Sequence, residues 1–258
     1  MKLPKISVVI PSYNKVKYIQ ETLDSIFDQK YENLEVIIQD GGSTDGTLKI
    51  IKDYLYEHPN IIKLESKRDN GQLDAINKGL KKSTGDIITF INADDVYEKD
   101  SFKLVANNYI ENTDILWFVG KGRVINEMGN EIVKLVTIYK NMLLKCNNFK
   151  RLLITNYLMQ PSVFLTKKAL TKYGLFCGTE YFVMEYEMWL KIGKDKMPVV
   201  IDKYLSKFRI ESSTKTKRLF NEILENDEEI VKKYTKNIFV LILHKFNNLG
   251  RKIIGNII

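Results

Sequence analysis

The densest group of side chains that could do chemistry lies in Gly85–Asp100, GDIITFINADDVYEKD. A short apolar run, Ile87–Ile91, reads as a buried strand. It stops at Asn92-Ala93-Asp94-Asp95, which places three polar side chains at a strand end. Ligands of open α/β sheets bind outside the carboxyl ends of the strands, so a site belongs here. Side chains two apart on a strand share a face, so Asn92 and Asp94 point together, and a turn after them swings Asp95 round. Adjacent carboxylates repel unless a cation or proton lies between them. A divalent metal shared with substrate phosphates satisfies that condition. A solvated turn that caps a helix starting near Glu98 is the other reading.

A second carboxylate stands out on a helix. In Met184–Ile192, MEYEMWLKI, residues Glu185, Trp189 and Ile192 fall at i, i+4 and i+7, so Glu185 sits on the apolar stripe. Glu187 instead shares its side with Lys191 and Lys194. Burial would raise the pKa of Glu185 towards the range of a general base. An acid in the first turn, favoured by the helix dipole, is the simpler reading.

These groups need a scaffold, and the chain before them supplies a regular one. Ile6–Ile10, ISVVI, reads as a central parallel strand ended by Pro11-Ser12-Tyr13-Asn14, with a helix over 17–27. Leu34–Ile38 is a second strand that runs into Gln39-Asp40-Gly41-Gly42-Ser43-Thr44-Asp45-Gly46-Thr47. This loop is neither a Walker A sequence nor GxGxxG, and Asp40 would repel a phosphate, so it suits a base or ribose. A third strand, Ile61–Glu65, leads through the turn Arg68-Asp69-Asn70-Gly71-Gln72 into a helix over 73–80 carrying Asp74, Asn77 and Lys78. The alternation predicts an α/β fold with a mostly parallel sheet and right-handed crossovers. Beyond Asp100 the pattern loosens. Strands at Ile115–Val119, Val124–Ile125 and Ile132–Ile138 suggest an antiparallel meander around Met128-Gly129-Asn130. A helix over 149–157, a strand over 159–165 and a helix over 167–173 follow, with late strands at Val199–Ile201 and Tyr204–Phe208.

Composition narrows the class. The 258 residues suit one α/β domain with a small appendage, and 44% hydrophobic with 28% charged residues is ordinary for a globular protein. Cys146 and Cys177 have no metal-ligand spacing and suit a reduced, cytoplasmic setting. No secretory signal is expected before the first strand, and no run of 18 apolar residues occurs. The net charge of +8 is uneven, since Ile132–Thr179 contains no acidic residue. Such a field attracts phosphates or anionic lipid, or is a solvated surface. Nucleic acid is not an expected partner, because no recognition motif accompanies the charge.

Four segments, Ile6–Asn14, Glu35–Thr47, Asp69–Gly79 and Gly85–Asp95, together resemble the family 2 glycosyltransferases. The resemblance extends through Gln160-Pro161-Ser162 and Met184–Leu190, about residues 5–214 in all. It implies a GT-A fold and inverting transfer of a sugar from a nucleotide diphosphate donor, usually a UDP-sugar, with Mn²⁺ or Mg²⁺. Pro11, Ser12, Tyr13 and Asp40 match nucleoside-binding positions, and Gly71, Asp74 and Asn77 lie in the segment beside the nucleotide. Asn92, Ala93, Asp94 and Asp95 match the metal-binding motif, with Asp94 and Asp95 as the metal ligands. Glu185 matches the catalytic base, with Glu187 as the alternative, and Gln160, Pro161 and Trp189 fall on the acceptor side.

Three departures from the family pattern stand out. Asn92 replaces a frequent Asp, Glu replaces Asp at Glu185 and Glu187, and Glu211 stands where Arg-x-His often places His. Neither His58 nor His244 is placed to substitute, and both are expected at the surface. The expected organisation is a catalytic domain over 1–213, with a donor half over 1–100 and an acceptor half over 101–213. A helical extension over 214–258 follows. The expected acceptor is a glycan or lipid-linked glycan in cell-surface polysaccharide synthesis, with peripheral membrane contact. Ile238–Leu243 with Lys245, and Arg251-Lys252 beside four isoleucines, resemble an interfacial segment, or else a helix docked on the domain's own core. An inactive scaffold subunit and a sugar nucleotidyltransferase are the rival readings. Pyrophosphate release would favour the second.

Overall fold

A computed structural model describes residues 3–112, 114–178, 183–211 and 220–255. Strands β1 (Ile6–Ser12), β2 (Leu34–Asp40), β3 (Ile62–Ser66) and β4 (Ile87–Phe90) are mutually parallel. They are joined through helices α1 (Ile19–Phe27), α2 (Thr47–Glu57) and α3 (Gln72–Lys82). The sheet continues with β5 (Val96–Tyr97), β6 (Trp117–Ile125), β7 (Val163–Thr166) and β8 (Val199–Arg209), in the order β3-β2-β1-β4-β7-β6-β8-β5. Strand order reverses between β1 and β4, and the crevice at such a switch point opens at the carboxyl ends of the strands.

Alternation along β1 divides the core. Ile6, Val8 and Ile10 face α1, joining Ile19, Leu23 and Ile26, while Val9 faces Ile76 and Leu80 of α3. All of β1 and β2 is buried, which is why both read as unbroken apolar runs. Helix α3 lies close on the sheet, since a Cβ at Gly79 would come within 2.3 Å of Val9 Cγ1. That seating brings the start of α3 to the crevice.

The region after β4 departs from expectation. Ile132–Ile138 is not a strand; helix α5 (Lys134–Lys145) occupies it, after helix α4 (Ser101–Glu111). Its β-branched residues mislead, but Thr137, Asn141 and Leu144 are its buried side, at i, i+4 and i+7. The segments Ile115–Val119 and Val124–Ile125 form one strand, β6, that passes through Gly120 and Gly122. Those glycines are packing sites rather than breaks. A Cβ at Gly120 would lie 2.3 Å from Leu205 Cγ, and one at Gly122 would lie 2.7 Å from Met159 Cβ. The two late strands likewise merge into β8, which runs parallel to β6, so the antiparallel addition is β7 and β5 instead of a meander.

The remaining helices are α6 (Phe149–Ile154), α7 (Lys167–Tyr173), α8 (Met184–Gly193), α9 (Phe220–Tyr234) and α10 (Ile238–Gly255). Ile223, Ile230, Val231 and Val240 of the last two share a core cluster with Trp189 of α8. The expected boundary at 213/214 and the terminal Ile257 and Ile258 lie outside the described residues. No described helix is long and apolar enough to cross a membrane.

Candidate active site

A cleft of about 1010 Å³ opens at the carboxyl ends of β1, β2 and β4 and runs to the helices of the carboxyl-terminal half. Pro11, Ser12, Tyr13, Gly71, Asn92, Ala93 and Asp94 line it at the sheet end, and Gln160, Glu185 and Trp189 line the opposite wall. Segments as far apart in sequence as Pro11 and Trp189 are thus brought to one cavity by the switch in strand order.

The Asn92–Asp95 turn is not a helix cap. Asp100 is the N-cap residue of α4, and Asp94 and Asp95 are both buried. Asp94 faces the cleft, where its Oδ2 receives a hydrogen bond from Lys15 Nζ at 2.6 Å. The same ammonium donates to Glu211 Oε1. Burial alone would lower the Lys15 pKa, but Asp94 and Glu211 outweigh it and hold the ammonium above the usual lysine range. The carboxylates of Asp94 and Glu211 therefore converge on one cation.

Asp95 does not join them. Its carboxylate is fully buried, accepting from Arg209 N at 2.9 Å and from Asn92 Nδ2 at 3.1 Å. Burial and then the charge of Asp94 push its pKa well up. The physical reason is β5, which follows directly, pairs with β8 and holds the turn against Arg209. Asn92 Oδ1 accepts from Gln72 Nε2 at 2.6 Å, tying the turn to α3. Beneath it the Arg209 guanidinium, itself buried, donates to Asp94 O at 2.8 Å and to Glu21 Oε2 at 2.5 Å, and lies over the Tyr18 ring.

The nucleoside positions divide in the same way. Tyr13 stands exposed at the cleft edge, and Gly71 takes φ +99°, a left-handed value that glycine adopts without strain. Asp40 is buried outside the cleft lining. Its carboxylate accepts from Gly42 N at 3.1 Å, Ser43 N at 3.0 Å and Ser66 Oγ at 2.7 Å, so it shapes the Gly41–Ser43 loop. Asp74 pairs with Lys78 at 2.7 Å and accepts from Asn70 N. Asn77 clamps the Phe176 backbone, donating to its carbonyl at 2.9 Å and accepting from its N–H at 3.2 Å. Neither Asp74 nor Asn77 lines the cleft.

On the far wall Gln160 donates to Phe90 O at 2.8 Å, while its Oε1, like Trp189 Nε1, is buried without a hydrogen-bond partner among the described residues. Pro161 is buried behind Gln160, off the cleft. Burial pushes the Glu185 carboxyl up to about 7, and Asp227 acts in the same direction. Glu187 points elsewhere: its Oε1 accepts from Lys233 Nζ at 3.1 Å on α9. Helices α9 and α10 also bring Asp227 and Arg251 to the cleft, where α5 brings Lys140.

Sequence reasoning did not place Lys15, Lys140, Asp227 or Arg251 at the cleft. Lys15 stands three residues past the β1 end, so its distance from a strand end was the available signal. His244 is a correction: it is buried, with Nδ1 at 2.9 Å from Leu153 O and Nε2 at 3.1 Å from Asn248 Nδ2. Burial lowers its pKa, and the ring joins α10 to the end of α6. His58 stacks on Phe27 with ring centroids 4.0 Å apart.

A family model described as glycosyl transferase family 2 matches residues 7–173. A Haemophilus influenzae protein described as an uncharacterized glycosyltransferase is 33% identical over 154 residues, covering 58% of this chain and 61% of its own. The chain thus spans about three fifths of that relative's length. Among solved structures, the mannosyltransferase PcManGT of Pyrobaculum calidifontis, in complex with GDP-Man and Mn²⁺, superposes with TM-score 0.71 at 19% identity, covering 95% of this chain and 69% of that one. Residues 1–349 of S. aureus TarS in complex with UDP-GlcNAc give TM-score 0.65 at 20% identity, covering 88% and 66%. These two likenesses concern the fold, a mixed and mostly parallel sheet between helices. With the family model spanning most of the sheet, the chain belongs to glycosyl transferase family 2 and has the GT-A fold.

Proposed function

We propose that this protein transfers a sugar, with inversion, from a nucleotide diphosphate donor to a glycan or lipid-linked glycan of the cell surface, at the inner face of a membrane. The observation that carries the reading is one cleft with Asp94 on its sheet wall and Glu185 on its helical wall. Inversion needs a base on the side of the sugar opposite the leaving diphosphate, and the two walls offer those two positions. The donor is a UDP-sugar by family resemblance; the structural neighbours that bind UDP-GlcNAc and GDP-Man support the class of donor.

The residues present fit a divalent cation. Asp94 and Glu211 already converge on a cation, the Lys15 ammonium, and both are the hard oxygen donors that Mn²⁺ or Mg²⁺ takes. Among the described residues no three His, Cys, Asp or Glu side chains gather as a full cage. That suits an ion completed by donor phosphates and water. When bound, such an ion neutralises the charge that develops on the departing diphosphate. Asp94 would hold it with Glu211 nearby, while Asp95 positions Asp94 through Arg209 instead of ligating. Glu185 takes the proton of the acceptor hydroxyl, aided by a pKa near neutrality. Tyr13 at the cleft edge and Gly71 at the start of α3 flank the nucleoside. Gln160 Oε1 and Trp189 Nε1 offer unpaired polar atoms to the sugars.

The test is a panel of UDP-, GDP-, CMP- and TDP-sugars incubated with Mn²⁺, with nucleotide release and the anomeric proton of the product followed by NMR. Slow hydrolysis or transfer of one donor with inverted configuration is expected. Retained configuration, or release of pyrophosphate, would contradict the reading.

A further inference from the structure

Two helices that close the cleft carry a second surface on their outer sides. On α10, Ile238, Phe239, Ile242, Leu243, Phe246 and Leu249 are exposed, with Phe239 at 74% and Phe246 at 67%. They recur at i, i+1, i+4, i+5, i+8 and i+11, a single stripe opposite Val240, His244 and Asn248, which are buried. On α5, Leu135 is 83% exposed and Met142 63%, with Ile138 and Tyr139 between them. Asn247 Nδ2 donates to the Tyr139 hydroxyl at 3.4 Å, so the two helices touch beside these stripes. Contiguous exposed apolar surface of this extent marks an interaction site.

The charge around the stripes indicates the occupant. No acidic residue occurs in Ile132–Thr179 or in Ile230–Ile258, which between them contain both helices. Lys236, Lys245 and Lys252 border the α10 stripe, and Lys134 and Lys145 stand at the two ends of α5. An apolar stripe rimmed by lysines, on segments that carry no acid of their own, fits an anionic bilayer surface, with the apolar side chains in the acyl boundary and the ammonium groups among headgroups. A second copy of this chain would bring the same lysines against each other.

The inner sides of the same helices place this surface beside the acceptor end of the cleft. Lys140 of α5 and Arg251 of α10 line the cavity with Asp227, to which Arg251 is bound at 2.6 Å. Lys140 has no carboxylate within ion-pair distance among the described residues, and burial followed by the Arg251 charge lowers its pKa to about 8. This end of the cleft sets Lys140 and Arg251 beside Asp227 and Glu185; Arg251 is taken by Asp227, which leaves the Lys140 ammonium to meet an anionic group on the acceptor.

We infer that the joint outer face of α5 and α10 seats the protein on an anionic bilayer, so that the cleft draws a phosphate-bearing, lipid-anchored acceptor from the membrane surface. The acceptor half of this inference rests on the transferase reading; the seating does not.

The test uses the full chain and sedimentation with vesicles of phosphatidylcholine alone or with 30% phosphatidylglycerol. A variant carrying Leu135→Ser, Met142→Ser, Phe239→Ser and Phe246→Ser changes only exposed side chains. Wild type is expected to co-sediment with the anionic vesicles at least tenfold more tightly than with the neutral ones, and the variant to lose at least tenfold of that binding. Its melting temperature and donor hydrolysis should match wild type, which separates failed seating from a failed transferase assignment. Equal binding of wild type and variant, or none by either, would overturn the inference. So would a dimer of wild type in light scattering that the variant abolishes.

Discussion

The Lys15 ammonium lies 2.6 Å from Asp94 Oδ2 and also contacts Glu211, so one side chain from the β1 loop holds together acids from the ends of β4 and β8. A protein cation thus stands where the donor's metal is expected. The two would compete for Asp94, and donor binding with a divalent ion should displace the lysine.

Removing that lysine tests the competition. Lys15→Ala leaves two largely buried carboxylates facing each other, and loss of one partner from a partly solvated ion cluster costs about 1–3 kcal/mol. Melting temperature should fall in EDTA and recover with Mn²⁺ by more than it rises in wild type. Thermal scans with and without the ion check this, and an identical Mn²⁺ response in both proteins would refute it.

Glu185, the proposed base, ties the proposed reaction to stability. Its folded pKa, raised to about 7, lies above the unfolded value, so the native state binds a proton that the unfolded chain releases. Stability is therefore lost as pH rises from about 4.5 to 7, and stays lost above that. Glu185→Gln removes the penalty. It should stabilise the fold at pH 8 by on the order of 1–3 kcal/mol and give almost no gain at pH 4.5. Denaturation at the two pH values measures the difference.

The same substitution should abolish transfer. Loss of a general base costs roughly 10²–10⁴-fold, with nucleotide affinity unchanged. In wild type the rate should climb with pH to a plateau above about 7, because only the carboxylate accepts a proton. A pH–rate profile at saturating donor would show whether that limb exists.

Arg209 and Asn77 separate architecture from contact. Arg209→Lys loses the fork that reaches Asp94 O, Asn126 O and Glu21, and should cost about 3–5 kcal/mol with weakened metal dependence. Asn77→Ala leaves the Phe176 backbone groups unpaired and should cost about 1–3 kcal/mol with donor affinity unaltered. Tighter coupling of Asn77 to the nucleotide would appear as a raised donor Kd.

The amino-terminal half was legible because β1, β2 and β4 are buried on both faces and read as apolar runs that stop abruptly, as at Ile10-Pro11 and Ile91-Asn92. Asp94 and Glu185 could be found because each is a charge on an otherwise apolar element. Helix α5 was not legible as a helix, because its outer face is apolar and no polar stripe marked the period. Side-chain direction was hidden as well. Whether Asp40 turns to the ligand or to its own loop depends on Ser43 and Ser66, and pairing to Ser66 is a tertiary fact. The companions of Glu185 were out of reach for the same reason, since Lys140, Asp227 and Arg251 meet only when α9 and α10 fold back over α8.

The central claim is that Asp94 carries the diphosphate of a nucleotide sugar through a divalent ion. Calorimetric titration of the nucleoside diphosphate identified by the donor panel, in Mn²⁺ and in EDTA, measures it in wild type and in Asp94→Asn. The account predicts that Mn²⁺ tightens binding at least tenfold in wild type and has no effect in the variant. Equal affinity with and without the ion in wild type, or an undiminished Mn²⁺ effect in Asp94→Asn, would contradict it.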